Sequence, residues 1–309
     1  PFFDSNNISD ITGDDIEDAF DSLSHSNLLA SLLPVAVEVA AEKYDVTLPY
    51  TSAELHAIDW NTEIQKVGTA GALIFDFVNT AGLFDEDTDF ETVTFDGDDA
   101  KDIFDALSES ELVTIAAYVA VEPLLEAATS QIQAIIEIPT DLDWKTEIAS
   151  FGVIIDAVLD TNITYASLTS GDPMEMLNSL STLDFTVMLQ SRIISQALVN
   201  VFVHADDIFG EDALNYLEIP SDVVWFDTYD GETLVQQGEL HNILSALNAL
   251  TDAASDVDFE NLGLSSIADL DLDSIDAIFD SRVLVASLTK TLKEQDFGDI
   301  PIKIPNSAY

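Results

Sequence analysis

The sequence predicts a mainly α fold, drawn out as a tandem array of α-helical units of about 80–100 residues each. Three observations carry this expectation. Asp59-Trp60-Asn61-Thr62-Glu63-Ile64 recurs as Asp143-Trp144-Lys145-Thr146-Glu147-Ile148, 84 residues on, and a third Trp follows at 225. An acidic segment recurs ahead of each: Gly13-Asp14-Asp15-Ile16-Glu17-Asp18-Ala19-Phe20 returns as Gly97-Asp98-Asp99-Ala100-Lys101-Asp102-Ile103-Phe104, and more loosely from Gly171 and Asp273. Apolar residues between these landmarks fall at helical spacing.

Each unit opens with carboxylates where the first turn of a helix carries partial positive charge, as at Asp14, Asp15, Glu17 and Asp18. Phe20, Leu23, Leu28, Leu29, Leu32 and Leu33 follow as expected core residues, with a break and a second cap among Ser22, Ser24 and Ser26. A long apolar helix comes next, with equivalents over 112–136 and 185–203. It ends at an apolar-Pro turn: Leu48-Pro49, Ile138-Pro139 and Ile219-Pro220. Pro and Trp are 5 residues apart in the second and third units and 11 in the first, so the first holds a six-residue insert.

The closing helix is led by Trp-x-x-Glu. Its apolar or small positions are Ile64, Val67, Gly71, Ile74 and Val78, then Ile148, Phe151, Ile155 and Val158, then Leu240, Ile243, Leu244, Leu247 and Leu250. In the third unit an insert, 226–238, separates Trp225 from Glu239. Turn-forming residues gather near 83–95, 161–172 and 251–265, and Thr92-Val93-Thr94-Phe95 reads as a short strand. The expected organisation is repeat unit 1 over 1–85, unit 2 over 86–166, unit 3 over 167–262 and part of a fourth over 263–309. The register of the ends suggests a window on a longer array, with the next Trp due just past Tyr309.

With 47% apolar residues the chain has ample core, yet it carries 59 acidic against 9 basic residues, a net charge of −50. Such a surface repels nucleic acid and anionic membranes, because phosphate binding depends on Lys and Arg. Self-repulsion at this charge calls for screening or bridging cations, from millimolar divalent ions outside cells or from a salt-rich medium. There is no Cys, hence no disulfide, thiolate metal site or Cys nucleophile. The longest uncharged apolar stretch, 28–37, is too short for a membrane span.

The repeated Trp60, Glu63, Trp144, Glu147, Trp225 and Glu239 read as architecture, with each Trp at a unit junction and Glu63 and Glu147 capping the first turn of their own helices. The best local metal pattern is Asp85, Asp87 and Asp89 with Asp96 at the twelfth position, which echoes a calcium loop. It departs from that loop at Phe90, where the turn wants Gly, and at Asp96, where the loop wants Glu. Asp269, Asp271 and Asp273 alternate with Leu more weakly. His25, His56, His204 and His241 show no metal spacing, and no phosphate loop or nucleophile motif is present, so no enzyme and no firm cofactor is expected, with calcium the candidate ion.

Ile219-Pro220…Trp225, followed by Tyr229-Asp230-Gly231 and Gly238-Glu239-Leu240-His241-Asn242-Ile243-Leu244, resembles the repeat of giant acidic helical cell-surface proteins of wall-less bacteria and related Firmicutes. The first two units resemble it through Asp-Trp-x-Thr-Glu-Ile and lack the Tyr-Asp-Gly insert. The resemblance implies a location and an architecture. The expectation is therefore a non-enzymatic extracellular or cell-surface protein, structural or adhesive, forming a rod, fibre or surface layer with divalent cations as bridges. Its partners are expected to be neighbouring repeats of a longer chain or other copies. Two alternatives stand beside it: a salt-adapted soluble protein of a halophile, enzyme or carrier, and a calcium-dependent binding module using the insert at Tyr229-Asp230-Gly231.

Overall fold

The computed structural model describes residues 11–81, 96–161, 182–204, 217–231, 233–256 and 272–294. It is mainly helical, with twelve α-helices, one 3-10 helix and one β-hairpin among the described residues. The chain divides into two compact units: Pro1–Thr129 with Pro139–Asp160, and Ser130–Ile138 with Thr161–Tyr309. Thr92–Phe95, read above as a strand, lies outside the described residues.

In the first compact unit α1 (Gly13–Ser24) starts at Thr12, whose hydroxyl accepts from Asp15 N while Asp15 accepts from Thr12 N, so two otherwise orphaned donors are satisfied together. Helix α2 (Asn27–Lys43) turns away at 88° and is capped by Ser26. Its inward face buries Pro34, Val37 and Ala41. Leu23, Leu28 and Leu32 correct the sequence reading: they are 48%, 71% and 53% exposed, because they lie on the sides of α1 and α2 away from that core.

The six-residue insert before Trp60 becomes a helix of six residues, α3 (Ser52–Ala57), held by a capping box between Thr51 and Glu54. Helix α4 (Trp60–Thr80) follows, and the Trp60 indole donates to Leu55 O at 2.9 Å. Trp60, Val37, Leu55 and Ile115 form one buried cluster, joined by Leu33, Leu48, Tyr50 and Leu112. Each such buried side chain contributes roughly 1.5–3 kcal/mol through removal from water.

Helix α5 (Gly97–Ser108) packs on both α4 and α8 (Trp144–Leu159), and α6 (Glu111–Ala127) touches α2, α4 and α8. The pairs α1/α4 and α5/α8 use the same contact. A Cβ on Gly68 would lie 2.4 Å from Phe20 Cβ, and one on Gly152 would lie 2.7 Å from Phe104 Cβ. Only glycine lets the helix axes approach this closely.

The long helix expected over 112–136 is interrupted. Ala128 adopts an extended backbone after α6, and a short helix, α7 (Ser130–Ile135), follows. The segment 185–203 is likewise two elements, a 3-10 helix (Phe185–Gln190) and α9 (Arg192–Val203), parted by the extended Ser191 that caps α9.

In the second compact unit, Val199 of α9 packs with Leu240 and Leu244 of α10 (Glu239–Asp256), and Trp225 and Phe202 stack at 6.0 Å beside them. The insert after Trp225 is a hairpin of β1 (Thr228–Asp230) and β2 (Thr233–Gln236), antiparallel and exposed throughout. Helices α11 (Leu272–Asp280) and α12 (Arg282–Glu294) both pack on α10. No single helix among the described residues is long and apolar enough to cross a membrane; α1 and α2 pass that test only as a bent pair.

Gly68→Ala is expected to lower the unfolding free energy by about 1–3 kcal/mol through overpacking against Phe20. Gly71→Ala, whose new methyl meets Ile16 at an ordinary 3.5 Å, should raise it by roughly 0.5–1 kcal/mol through helix propensity. Urea titrations of the two variants give both numbers; a Gly68→Ala chain as stable as the parent would refute the close-approach reading.

Candidate functional site

Five of the six motif residues are buried: Trp60, Glu63, Trp144, Glu147 and Glu239, while Trp225 is partly buried. A buried carboxylate is costly unless several donors surround it. Glu63 has them. Its Oε2 accepts from Ser110 Oγ at 3.0 Å, Glu111 N at 2.6 Å and Leu112 N at 3.3 Å, and its Oε1 accepts from Lys66 Nζ at 2.8 Å.

This corrects the expected role. The cap of α4 is Asp59, which accepts from Thr62 N and Thr62 Oγ1, and Asp143 does the same for α8 through Lys145 N and Thr146 Oγ1. With its own helix already capped, Glu63 is released to cap α6, a helix that starts 48 residues later. The N-terminus of α6 supplies free amides and partial positive charge, which suit an anion.

The same junction is built in the second compact unit. Glu239 Oε1 accepts from Ser281 Oγ at 2.5 Å and Val283 N at 2.8 Å, at the N-terminus of α12. Ser110 and Ser281 are fully buried. The sequence does not single them out: Ser followed by x and two apolar residues occurs at Ser26, Ser110, Ser191 and Ser281, but also at Ser195, Ser221 and Ser265, so that pattern alone does not mark a cap.

Around the first junction the scarce cations act as clips. Lys66 also donates to Glu109 O at 3.0 Å. Lys145 of α8 pairs with Glu111 of α6, and Tyr50 Oη donates to the other oxygen of Glu111 at 2.5 Å. Burial raises the Glu111 pKa, but the bonds from Lys145 and Tyr50 outweigh it and leave the carboxyl below its usual range. Burial, then the Glu111 bond, pushes the Tyr50 phenol up.

The proposed calcium residues divide. Asp85, Asp87 and Asp89 lie outside the described residues; Asp96 caps α5, its Oδ1 accepting from Asp98 N at 3.0 Å. Asp269 and Asp271 lie outside as well. Among the described residues no group of three or more His, Asp or Glu is arranged to hold a metal ion. Each of three histidines has its own local neighbour: His25 meets Asp21 O at 2.7 Å, His56 faces Glu38 at 3.9 Å and His241 faces Asp227 at 3.4 Å. His204 is the C-cap of α9.

Carboxylates crowd at the start of α5, where Asp156 and Asp160 lie beside Gly97. Asp156 Oδ1 is buried with no hydrogen-bond partner among the described residues, and burial raises its pKa, with Asp160 and Asp98 adding and Lys101 opposing. Polar groups also gather at the hairpin base, where Asp227 accepts from Gly238 N at 2.6 Å and from Tyr229 Oη at 3.3 Å.

Comparison with protein-family models, with curated proteins and with solved structures yields no match in any of the three.

Glu63→Ala is expected to cost about 3 kcal/mol, because it strands a buried hydroxyl, two amides and Lys66. Ser110→Ala should cost about 1 kcal/mol. The double variant should fall short of the sum by at least ~0.5 kcal/mol, and a strictly additive double-mutant cycle would show that the two side chains do not interact. Asp156 has the opposite sign. Its folded pKa lies above the unfolded one, so its contribution favours folding in acid and is lost as pH rises. Asp156→Asn should therefore raise the melting temperature at pH 7, and the gain should fade below about pH 4. A gain independent of pH would rule out the charge as its source.

Proposed function

We propose that this chain is a non-enzymatic structural or adhesive protein of the cell surface or extracellular medium, an array of helical repeat units that assembles into a rod, fibre or layer. The observation that carries the reading is the junction. A glutamate on one unit's closing helix fixes the start of the next unit's long helix, at Glu63–Ser110 and again at Glu239–Ser281. A contact of this form adds length by reiteration, and its stability is a sum over neighbours. The sequence repetition and the resemblance described above support the same reading, and the cell-surface location rests on that resemblance.

The mechanism is interfacial. Apolar clusters such as that around Trp60 join units, while the acidic exterior keeps the assembly soluble. Divalent cations, calcium first among them, bridge carboxylates between neighbouring surfaces. A second reading is favoured by the net charge of −50: a salt-adapted protein whose acidity answers a brine.

Thermal melts in low salt, with EDTA, with millimolar CaCl₂ and with molar KCl separate the two, followed alongside by light scattering. The array reading expects millimolar Ca²⁺ to raise the melting temperature by several degrees and to increase scattering, both reversed by EDTA. Stabilisation only in molar KCl, indifferent to EDTA and without assembly, would replace it with the salt-adapted protein.

A further inference from the structure

Helix α6 works on two faces, and α2, its counterpart in the preceding repeat, is covered on one. The two align without a gap: Ser110-Glu111-Leu112-Val113 matches Ser26-Asn27-Leu28-Leu29, and Val119-Ala120-Val121-Glu122 matches Val35-Ala36-Val37-Glu38. One face of α6 presents Leu112, Ile115 and Val119 to the Trp60 cluster, and its first amides donate to Glu63. At the matching positions of α2, Leu28 is 71% and Val35 44% exposed.

Leu32 and Val39, 53% and 58% exposed, continue the same stripe at helical spacing. Ser31 stands where α6 has Ile115, the one polar exchange on this face. A terminal unit that closes an array presents a polar outer face; this one presents four large apolar side chains. The amides of Asn27 and Leu28, counterparts of the two that bind Glu63, meet no acceptor among the described residues.

We propose that this face of α2, with the amides at its start, is the docking surface for a Trp-x-x-Glu helix of a further repeat of the same type, set ahead of α1 in register. The Trp cluster of that repeat covers Leu28 and Val35, and its Glu accepts from Ser26 Oγ and the amides of Asn27 and Leu28. The interface continues the one already seen between α4 and α6. A second copy of this chain does not supply the helix: Glu63 and Glu239 are engaged at α6 and α12, and Glu147 is buried. The proposal rests on the array reading for the existence of such a neighbour, and on neither its location nor its cation bridging.

The test joins a copy of residues 13–96 directly ahead of Gly13 in the full chain, which places the copied Glu63 as far before Ser26 as Glu63 stands before Ser110. Amide exchange at Asn27 and Leu28 should slow at least tenfold relative to the parent. Leu28→Ser should be near neutral in the parent, yet shift the unfolding equilibrium of the extended chain at least tenfold. Glu63→Gln in the added copy alone should return the exchange to the parental rate. A copy that is helical but leaves exchange at residues 27–28 unchanged, with Leu28→Ser equal in both chains, overturns the proposal.

Should the added copy not fold, a synthetic peptide of residues 46–81 replaces it, titrated calorimetrically into the parent. Binding abolished by Leu28→Ser supports the surface, and no binding up to millimolar peptide overturns it. Dimerisation of the parent through α2, seen by sedimentation and removed by Leu28→Ser, also overturns it, since the occupant would then be a second copy. Calcium-dependent assembly without docking refutes this surface alone; docking without any calcium effect refutes the cation-bridged array alone.

Discussion

A buried carboxylate is costly unless donors surround it, so its donors constrain everything packed around it. Glu63 finds them on another helix, and that choice fixes where α6 begins, how closely it approaches α4 and which of its residues reach Trp60. Desolvating the charge costs several kcal/mol, and only a full set of donors with good geometry offsets it. The tolerance for sliding α6 along α4 is therefore small. Lys66 is not the essential part, because Ser150 and Asn242 hold its place in the later repeats. What recurs at Glu239 is the serine hydroxyl and the helix amides.

The same economy governs charge elsewhere. Surface ion pairs contribute little individually, so nine basic residues do not offset the self-repulsion of 59 acidic ones. Their placement matters more than their number. Lys145 ties α8 to α6, Arg282 ties α12 to Asp222 at 2.6 Å, and Lys290 donates to Leu217 O at 3.2 Å. Each joins segments distant in sequence, where it fixes orientation. The remaining acidic surface is left to the solvent and its ions.

The helical class was legible from periodicity, and the helix starts at Gly13 and Gly97 from their acidic first turns, because those depend on near neighbours in the chain. The partner of Glu63 was not. A glutamate in a first turn ordinarily serves its own helix, and only the hydrogen bonds of Asp59 reveal that this duty is taken. Nor was the fate of Leu28 legible: it is the same residue type as Leu112 at the same place in the repeat, and burial differs because, among the described residues, the Trp60 cluster covers Leu112 and no counterpart covers Leu28. The break at Ser191 was concealed by the apolar run on both sides of it.

The hairpin after Trp225 leaves the core and returns to it at one point. Glu239 N donates to Val224 O and Leu240 N to Trp225 O, while Gly238 fits where a Cβ would strike the backbone of Trp225 and Phe226. The two ends of the excursion are thus held together by the body of the protein, while the strands between them are exposed throughout. Such a place accepts foreign sequence. A lineage can rewrite it, or an engineer can graft an epitope, a tag or a binding loop there, while the helices beneath keep their register.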